Sequence, residues 1–167
     1  MFLTDPCKEG KVMKLYLVQH GDALEKTANP DRPLSASGRA AVEAVGRMLS
    51  HAGITVPTIG HSGKTRARQT AELLAEAVDA GEPLQERKDL SPNDPVEIVR
   101  QTLRYAETDI MLVGHLPFMG KLASLLLTGD EYADVLAFQK GGVACLERQD
   151  EVRWHVAWMV VPELAGA

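Results

Sequence analysis

The sequence contains few cysteines, no long apolar run and no excess of positive charge, and each absence excludes a class of protein. Its two cysteines, Cys7 and Cys145, could form one disulfide at most, and no cysteine and histidine cluster has zinc-site spacing. The apolar stretches are much shorter than the roughly 20 residues that a membrane span needs. The net charge of −5 argues against broad binding to nucleic acid. We therefore expect a cytoplasmic protein with no membrane and no nucleic-acid partner.

The first residues, "MFLTDPCKEGKV", lack the apolar core of a signal peptide. The first strand-like segment begins at Met13, so we expect residues 1–12 to be a detachable, disordered extension. The rest of the chain has no internal repeat, no low-complexity segment and no linker. A chain of 167 residues suits one domain with a sizeable core, so residues 13–167 are expected to form a single domain.

Short apolar runs, typical of strands buried on both faces, alternate with segments in which apolar residues recur at helical spacing. Serines at the starts of these segments are expected to cap the first helix, through Ser35 or Ser37, and the second, through Ser62. The predicted strands are 13–19, 58–61 and 109–115. The predicted helices are 31–53, 62–81, a segment after Pro95, and 118–127.

The end of the chain changes character, because "DVLAFQ" and "GGVACLERQDEVRWHVAWMVV" read as further strands. In the last one, every second residue from Val152 to Val160 is apolar, which predicts one buried face that carries both Trp154 and Trp158. The order of elements predicts an α/β fold. We expect a three-layer sandwich with a mainly parallel central sheet, antiparallel edge strands and helices on both faces.

The stretch "TIGHSGKTRARQTAE", residues 58–72, has the strand, glycine turn and helix start of a nucleotide-binding P-loop. A P-loop also needs a glycine at position 58, where this chain has Thr58. No apolar strand ends in the magnesium-binding aspartate that accompanies a P-loop. The pattern therefore argues against nucleotide binding and favours a helix N-terminus that can bind another anion.

Three predicted strands end in histidine, at "LVQHGDA", "PTIGHSG" and "IMLVGHLP". Ligands of parallel sheets bind at the carboxyl ends of the strands, so His20, His61 and His115 are expected near one edge, beside Lys64 and Arg66. The histidines could cap the sheet or hold a metal ion, although the nearby carboxylate pairs and helical histidine spacing of metal sites are missing. The remaining alternative is a phosphate pocket, in which a neutral histidine attacks phosphorus and cations stabilise the phosphoryl oxygens.

The segments "LVQHGDA", "RPLSASGRAAV", "SGKTRARQTAE" and "LVGHLP" follow one another at predicted strand ends and helix starts. They resemble the Arg-His-Gly motif, the Leu-Ser/Thr-x-x-Gly helix start, the Ser-x-x-x-Arg-Ala-x-Gln-Thr-Ala signature and the Gly-His motif of the histidine phosphatase (phosphoglycerate mutase-like) superfamily. The resemblance covers about residues 13–160. The chain lacks a large cap insertion and is most similar to the SixA-type phosphohistidine phosphatases.

The resemblance implies a role for each matching residue. His20 would be the nucleophile that becomes phosphorylated, Arg66 would bind the phosphoryl oxygens, and His115 would donate a hydrogen bond to the transferring group. Gly21 would allow the loop to approach the phosphate closely. The resemblance implies no metal and no cofactor.

The chain departs from the resemblance at Gln19, where the superfamily has arginine just before the nucleophile. Glutamine can donate hydrogen bonds to a substrate but has neither the charge nor the fork of a guanidinium group. Either the activity is weakened, leaving a module that binds phosphate, or another cation compensates. Lys64, in the phosphate-binding turn, is the candidate, although residues two apart on a helix do not share a face with each other.

The sequence offers no clear general acid. Asp22, two residues after the nucleophile, and Asp94 are candidates, and each could instead be a loop or capping residue. His61 would be a peripheral contact or a loop residue, and His51 and His155 are expected to have no role in the reaction. A phosphohistidine substrate relaxes the need for an acid, because its labile P–N bond releases an imidazole that solvent can protonate.

These observations predict a phosphatase that acts on phosphohistidine of a protein through a phosphohistidine intermediate. The alternatives are a phosphatase for a small phosphoester, which predicts a deeper pocket and a clear acid, and a phosphate-binding module without turnover.

Overall fold

The computed structural model describes residues 12–167. The predicted extension over residues 1–12 lies outside this range except for Val12, which is exposed. The elements are β1 (Lys14–Gln19), α1 (Ala36–His51), β2 (Thr58–His61), α2 (Thr65–Val78), β3 (Gln85–Glu86), α3 (Val96–Arg104), β4 (Ile110–Gly114), α4 (Phe118–Thr128), β5 (Val143–Arg148) and β6 (Trp154–Val160), followed by a 3₁₀ turn (Pro162–Ala165).

One six-stranded sheet, in the order β3-β2-β4-β1-β5-β6, forms the centre of the fold. Strands β3, β2, β4 and β1 are parallel, while β5 is antiparallel to both β1 and β6. The register of β1 on β4 pairs Gln19 with Gly114, so both strands end at the same level. The residues that follow them, His20 and His115, therefore start side by side.

Successive residues of β1 point to opposite faces of the sheet and enter two separate buried clusters. Leu15 and Leu17 pack with apolar residues of α3 and α4, whereas Tyr16 and Val18 pack with those of α1 and α2. Burial on both faces explains why the strand sequence is almost continuously apolar. The predicted three-layer α/β sandwich with antiparallel edge strands is confirmed.

The helix caps agree with prediction in one case and differ in the other. Ser35 caps α1, and its side chain accepts a hydrogen bond from the backbone N–H of Gly38 at 3.0 Å. The prediction that Ser62 caps α2 is wrong, because this helix begins after Lys64 and has no side-chain cap. The Ser62 hydroxyl lies 2.6 Å from Nε2 of His115 instead.

Two predictions for the end of the chain are also wrong. Residues 134–139, predicted as a strand, have no regular secondary structure. A bulge at Cys145/Leu146 shifts the register of β5 on β6 and interrupts the alternation of faces. Trp154 therefore packs with the α3–α4 cluster and Trp158 with the α1–α2 cluster, while Val156 is 42% exposed.

Candidate active site

The two histidines that follow β1 and β4 are buried next to each other. The ring centroids of His20 and His115 are 4.9 Å apart with the planes inclined at 58°, and the backbone N–H of His20 donates to Gly114 O at 3.0 Å. The parallel register thus places two imidazoles at one point of the carboxyl edge of the sheet.

The hydrogen bonds of His20 distinguish its two ring nitrogens. Nδ1 lies 2.7 Å from the carbonyl oxygen of Gly21, an acceptor, so Nδ1 carries the proton. Nε2 then has a free lone pair, which accepts a hydrogen bond from Nε of Arg66 at 3.1 Å. This arrangement leaves Nε2 as the nucleophilic atom, with a guanidinium group directly beside it.

The environment of His20 keeps its ring neutral at physiological pH. Burial is the largest cause, and together with the charges of Arg66, Lys140 and Arg32 it lowers the pKa of His20 to about 4, against the opposing effect of the hydrogen bond to Gly21. Since the neutral imidazole is the nucleophilic form, this lowering favours attack on an electrophile at pH 7.

His115 is also buried and neutral, but it has different partners. Burial, followed by the ring of His20 and the charges of Arg66 and Lys64, lowers the pKa of His115 to about 3. Nε2 is hydrogen-bonded to the Ser62 hydroxyl, and Nδ1 is buried with no partner in the described part of the chain. When neutral His115 carries its proton on Nε2, it donates to the Ser62 hydroxyl. The same N–H can donate instead to another oxygen that takes the place of that hydroxyl.

The first turns of α2 connect Arg66 to the loop that follows β1. The Thr70 hydroxyl donates to Arg66 O at 2.8 Å and accepts the backbone N–H of Gly21 at 3.0 Å. Gln69 accepts the backbone N–H of Leu34 at 2.8 Å through its side-chain oxygen. The "QT" of the signature therefore fixes the nucleophile loop against the arginine helix, a role that the sequence did not reveal.

Gly21 is required by the packing of the loop that follows β1. A Cβ atom added there would lie 2.8 Å from Cγ2 of Val42 and 3.1 Å from Gly38 O, both on α1. Gly38 in turn lies against the backbone of Asp22. The two glycines of the first two motifs thus let α1 pack directly on the loop after β1.

Gln19 lies at the end of β1 with its side-chain oxygen Oε1 buried and unpartnered among the described residues. Lys64 occupies the position before α2 and is exposed, and its charge contributes to the low pKa of His115 rather than to that of His20.

Asp22 forms an ion pair with Lys140, whose Nζ lies 2.6 Å from Oδ1, and accepts a hydrogen bond from Ser35 at 3.0 Å. These contacts, Lys140 first, lower the pKa of Asp22. The carboxylate is therefore ionised at neutral pH, which gives no support to the idea that Asp22 donates a proton. The other candidate acid, Asp94, accepts the backbone N–H of Ser91 at 2.6 Å within a turn.

Two cations of the site were not predicted, Arg32 and Lys140. Arg32, in the loop before α1, has a left-handed backbone with φ of 49° and donates from Nε to Leu24 O at 3.1 Å. Its charge contributes to the lowered pKa of both His20 and Arg66, after burial in each case. Arg32 stands in the quoted "RPLS" segment, which was used only to predict the helix start.

The remaining histidines take no part in this cluster. His61 is buried at the end of β2, where its Nδ1 accepts the backbone N–H of Gly63 at 3.1 Å. His51, in the last turn of α1, and His155, on β6, are exposed. Across residues 12–167, no group of three or more His, Cys, Asp or Glu side chains could hold a metal ion. None of the described helices is long and apolar enough to cross a membrane.

Two surface depressions lie outside the histidine pair. One of about 400 Å³ begins at Leu116, the residue after His115, and runs between α4 and residues 131–138 with a mainly apolar lining. Another of about 730 Å³ lies at the opposite edge of the sheet, between the ends of α3 and α4 and the start of β6.

The sequence matches the model of the Histidine phosphatase superfamily (branch 1) over residues 15–94. It is 31% identical over 138 residues to an uncharacterized protein of Picosynechococcus sp., covering 78% of this chain and 82% of that one. The segment matched by the superfamily contains His20, Gly21 and Arg66, while His115 follows it.

Solved structures with the same fold include the protein histidine phosphatase SixA complexed with tungstate, with a TM-score of 0.81 and 22% identity over 91% of this chain and 99% of that one. A phosphoglycerate mutase from Bacillus anthracis str. Sterne has a TM-score of 0.72 and 14% identity, over 95% of this chain and 97% of that one. At these identities the similarity establishes the fold.

Proposed function

Because this chain belongs to the histidine phosphatase superfamily, we propose that it removes phosphoryl groups from phosphohistidine on a protein, through a phosphohistidine intermediate at His20. One observation carries the proposal. Nε2 of His20 is unprotonated, since Nδ1 donates to Gly21 O, and it lies 3.1 Å from Nε of Arg66. A buried nucleophile with an adjacent guanidinium group suits attack on a phosphoryl group.

In the first step, Nε2 of His20 forms a bond to phosphorus while the P–N bond to the substrate imidazole breaks. The leaving imidazole takes up a proton from solvent. The ring of His20 gains positive charge as it becomes phosphorylated, and the hydrogen bond from Nδ1 to Gly21 O, 2.7 Å long, stabilises that charge. The substrate therefore leaves as neutral imidazole, and the enzyme carries the phosphoryl group.

In the second step, a water molecule attacks phosphorus and the bond between phosphorus and Nε2 breaks. The electron pair of that bond returns to Nε2, the two protons of the water leave with the phosphate, and Nδ1 keeps its own proton. His20 is thereby restored to the neutral form that its low pKa favours. The cycle requires no permanent proton donor from the protein.

Arg66 and His115 would stabilise the phosphoryl oxygens in both steps. Arg66 remains charged in proteins, and its N–H groups lie next to the atom that forms the bond to phosphorus. His115 lies in ring contact with His20 and would donate from Nε2 to an oxygen, in place of its hydrogen bond with Ser62. Donors fixed in advance at the point where charge develops are the main source of catalysis in phosphoryl transfer.

Two features favour a protein substrate with a P–N bond. The carboxylate of Asp22, two residues after His20, is held ionised by Lys140, so it would give an alkoxide leaving group no proton. A surface depression with a mainly apolar lining begins at Leu116, the residue after His115. A protein that carries phosphohistidine needs no acid and could lay an apolar side chain in this depression.

Gln19 supports a second candidate, a phosphate-binding protein with little turnover. The residue contributes no charge to the site, and a hydrogen bond from a neutral donor is about half as strong as one from a charged donor. This candidate predicts binding of inorganic phosphate without its release from any phosphorylated substrate.

The test is phosphate release from a phosphohistidine-containing protein domain, measured beside a panel of small phosphoesters. The wild-type chain is compared with His20→Ala and with the matched control His51→Ala, which removes an exposed histidine of α1. We expect release from phosphohistidine alone, abolished only in His20→Ala. Release from the esters alone would assign a small-molecule phosphatase, and binding without release would assign the second candidate.

A further inference from the structure

The site lacks one positive charge at the end of β1. Gln19 immediately precedes the nucleophile, and its buried side-chain oxygen has no donor among the described residues. A phosphoryl group on His20 carries negative charge on three oxygens, of which Arg66 can bind two at most with its fork. His115 would donate to the remaining oxygen but is neutral, so a second positive charge at these oxygens has to come from another part of the chain.

The loop before β5 rests directly on the backbone of the nucleophile. The N–H of Gly141 donates to Gln19 O at 2.9 Å and lies 3.2 Å from His20 O. Gly141 has a φ of +79°, a backbone conformation that favours glycine, and a Cβ atom there would be 3.9 Å from the Cα atom of Gly21. Lys140 therefore directly precedes a residue whose backbone N–H is hydrogen-bonded to Gln19 and His20.

The ammonium group of Lys140 pairs with a residue of the loop that follows β1, although about half of its side chain is exposed. Its ammonium group lies 2.6 Å from Oδ1 of Asp22, two residues after His20, and that carboxylate is also bound by Ser35. An ammonium group has three donors, so Asp22 can occupy one and leave two for another acceptor. The charge of Lys140 reaches the nucleophile, where it adds to the effects of burial and Arg66.

The other unassigned cations are less well placed for this purpose. Lys64 is exposed at the start of α2, and its charge acts on His115. Arg32 donates its Nε to Leu24 O, which holds the guanidinium group to its own loop, and its effect on His20 is smaller than that of Lys140. Lys140 combines a backbone anchor next to it, from Gly141 to Gln19, with an ammonium group held at Asp22, two residues after His20.

We propose that Lys140 binds the phosphoryl group on His20 and supplies the positive charge that Gln19 does not. The proposal rests on the proposed function, because it assumes that His20 carries the phosphoryl group. Asp22 holds the ammonium group beside the nucleophile loop, and an arriving phosphoryl oxygen takes one of its free donors. Lys140 is thus a phosphate-binding residue, and Asp22 is its ion-pair partner in the absence of phosphate.

The experiment measures binding of inorganic phosphate by calorimetry and kcat/KM on a phosphohistidine-containing domain. We expect Lys140→Ala to weaken both by about tenfold to a hundredfold, the value of one hydrogen bond to a charged group. In the Lys140→Ala background, Gln19→Arg should restore most of the loss, because it returns a cation to the same phosphoryl group. Lys140→Arg should retain most of the binding.

The matched control is Lys14→Ala, which removes a partly exposed ion pair between Lys14 and Glu147 at the opposite end of β1. It should leave phosphate binding unchanged. Asp22→Asn tests whether Lys140 binds phosphate directly or acts only by holding Asp22 in place. The substitution frees the ammonium group of Lys140 and removes a negative charge. Phosphate binding should then be equal to that of the wild type or tighter.

The proposal is wrong if Lys140→Ala binds phosphate as the wild type does, if Gln19→Arg restores nothing, or if Lys64→Ala causes the loss instead. A loss in Asp22→Asn equal to that in Lys140→Ala would also overturn it. Turnover of phosphohistidine by Lys140→Ala at the wild-type rate would overturn the role of Lys140 and leave the proposed function unaffected. Phosphate binding that depends on Lys140, without turnover, would overturn the function alone, and a wild type that binds no phosphate would overturn both.

Discussion

The parallel and antiparallel parts of the sheet bring residues to the same edge in different ways. Parallel strands β1 and β4 end there, and each places a buried histidine directly after its last paired residue. The antiparallel part contributes the loop before β5, which holds an exposed lysine near the nucleophile through the backbone N–H of Gly141. In the proposed mechanism, the first part supplies the reacting groups, and the second supplies a charge that adjusts them.

This difference determines how the site should respond to change. His20 and His115 are fixed by the ends of two paired strands, and Arg66 by the first turn of α2. Lys140 lies at the surface, where an ion pair contributes little to stability. Substitution of His20, His115 or Arg66 should therefore abolish or strongly lower activity. Substitutions in the antiparallel part should change activity or stability without abolishing activity.

The largest effect is expected at Arg66. Arg66→Ala should lower kcat/KM on a phosphohistidine domain by about 10³-fold, because it removes the donor that lies next to the bond-forming nitrogen. The control Arg68→Ala removes an exposed arginine paired with Glu72 on the same helix and should leave kcat/KM unchanged. Equal losses of kcat/KM in the two variants would mean that any positive charge on α2 supports activity, whatever its position relative to His20.

The pKa of His20 provides the second test. Burial first, then Arg66 and Lys140, lower it from 6.5 to about 4, so NMR titration should show its ring signal, identified by its loss in His20→Ala, changing only near pH 4. As the pH falls from 6.5 to 4, the unfolded chain takes up this proton and the folded chain does not, so the free energy of unfolding should decrease. A midpoint near 6.5 would contradict the buried, neutral nucleophile.

The antiparallel part should show its effects in stability. Trp154 is 6% exposed within the α3–α4 cluster, so Trp154→Ala should lower the free energy of unfolding by about 3 kcal/mol. Val156 was predicted to share its buried face but is 42% exposed, and Val156→Ala should change the same free energy by no more than about 0.5 kcal/mol. Urea denaturation measures both free energies of unfolding. Equal losses in the two variants would contradict an interruption of the alternation at the bulge.

The smallest effect is expected at Ser62. Ser62→Ala should lower kcat/KM about tenfold, the value of one hydrogen bond, because His115 loses the partner that orients its Nε2. Ser62→Thr keeps the hydroxyl and should recover most of the activity. The ¹⁵N shifts of His115 should report a change of tautomer or orientation in Ser62→Ala only. If alanine and threonine behave alike, Ser62 has no positioning role.

The parallel part was predictable from sequence because its signals are local. The apolar runs in β1 and β4 reflect burial on both faces, and the rule that parallel strands end at one edge was enough to bring His20 and His115 together. Four motifs in order gave the superfamily. The two histidines required no knowledge of distant contacts, since each follows its own strand directly.

The rest depends on contacts between distant residues, for which the sequence has no local signal. The Ser62 hydroxyl bonds His115, 53 residues away, instead of capping its own helix. Lys140 reaches Asp22 across 118 residues, because Gly141 docks on the end of β1. The bulge in the β5–β6 pair separates two tryptophans that alternate perfectly in sequence.

The central claim is that Nε2 of His20 carries the phosphoryl group, and it can be tested directly. The wild-type chain is mixed with excess phosphohistidine-containing domain, stopped rapidly in alkali and analysed by tandem mass spectrometry. We predict a phosphorylated peptide with the modification at His20, absent from His20→Ala and more abundant in variants slowed in the second step. Turnover with no phosphorylated His20, or with phosphate on His115 or Ser62, would contradict the account.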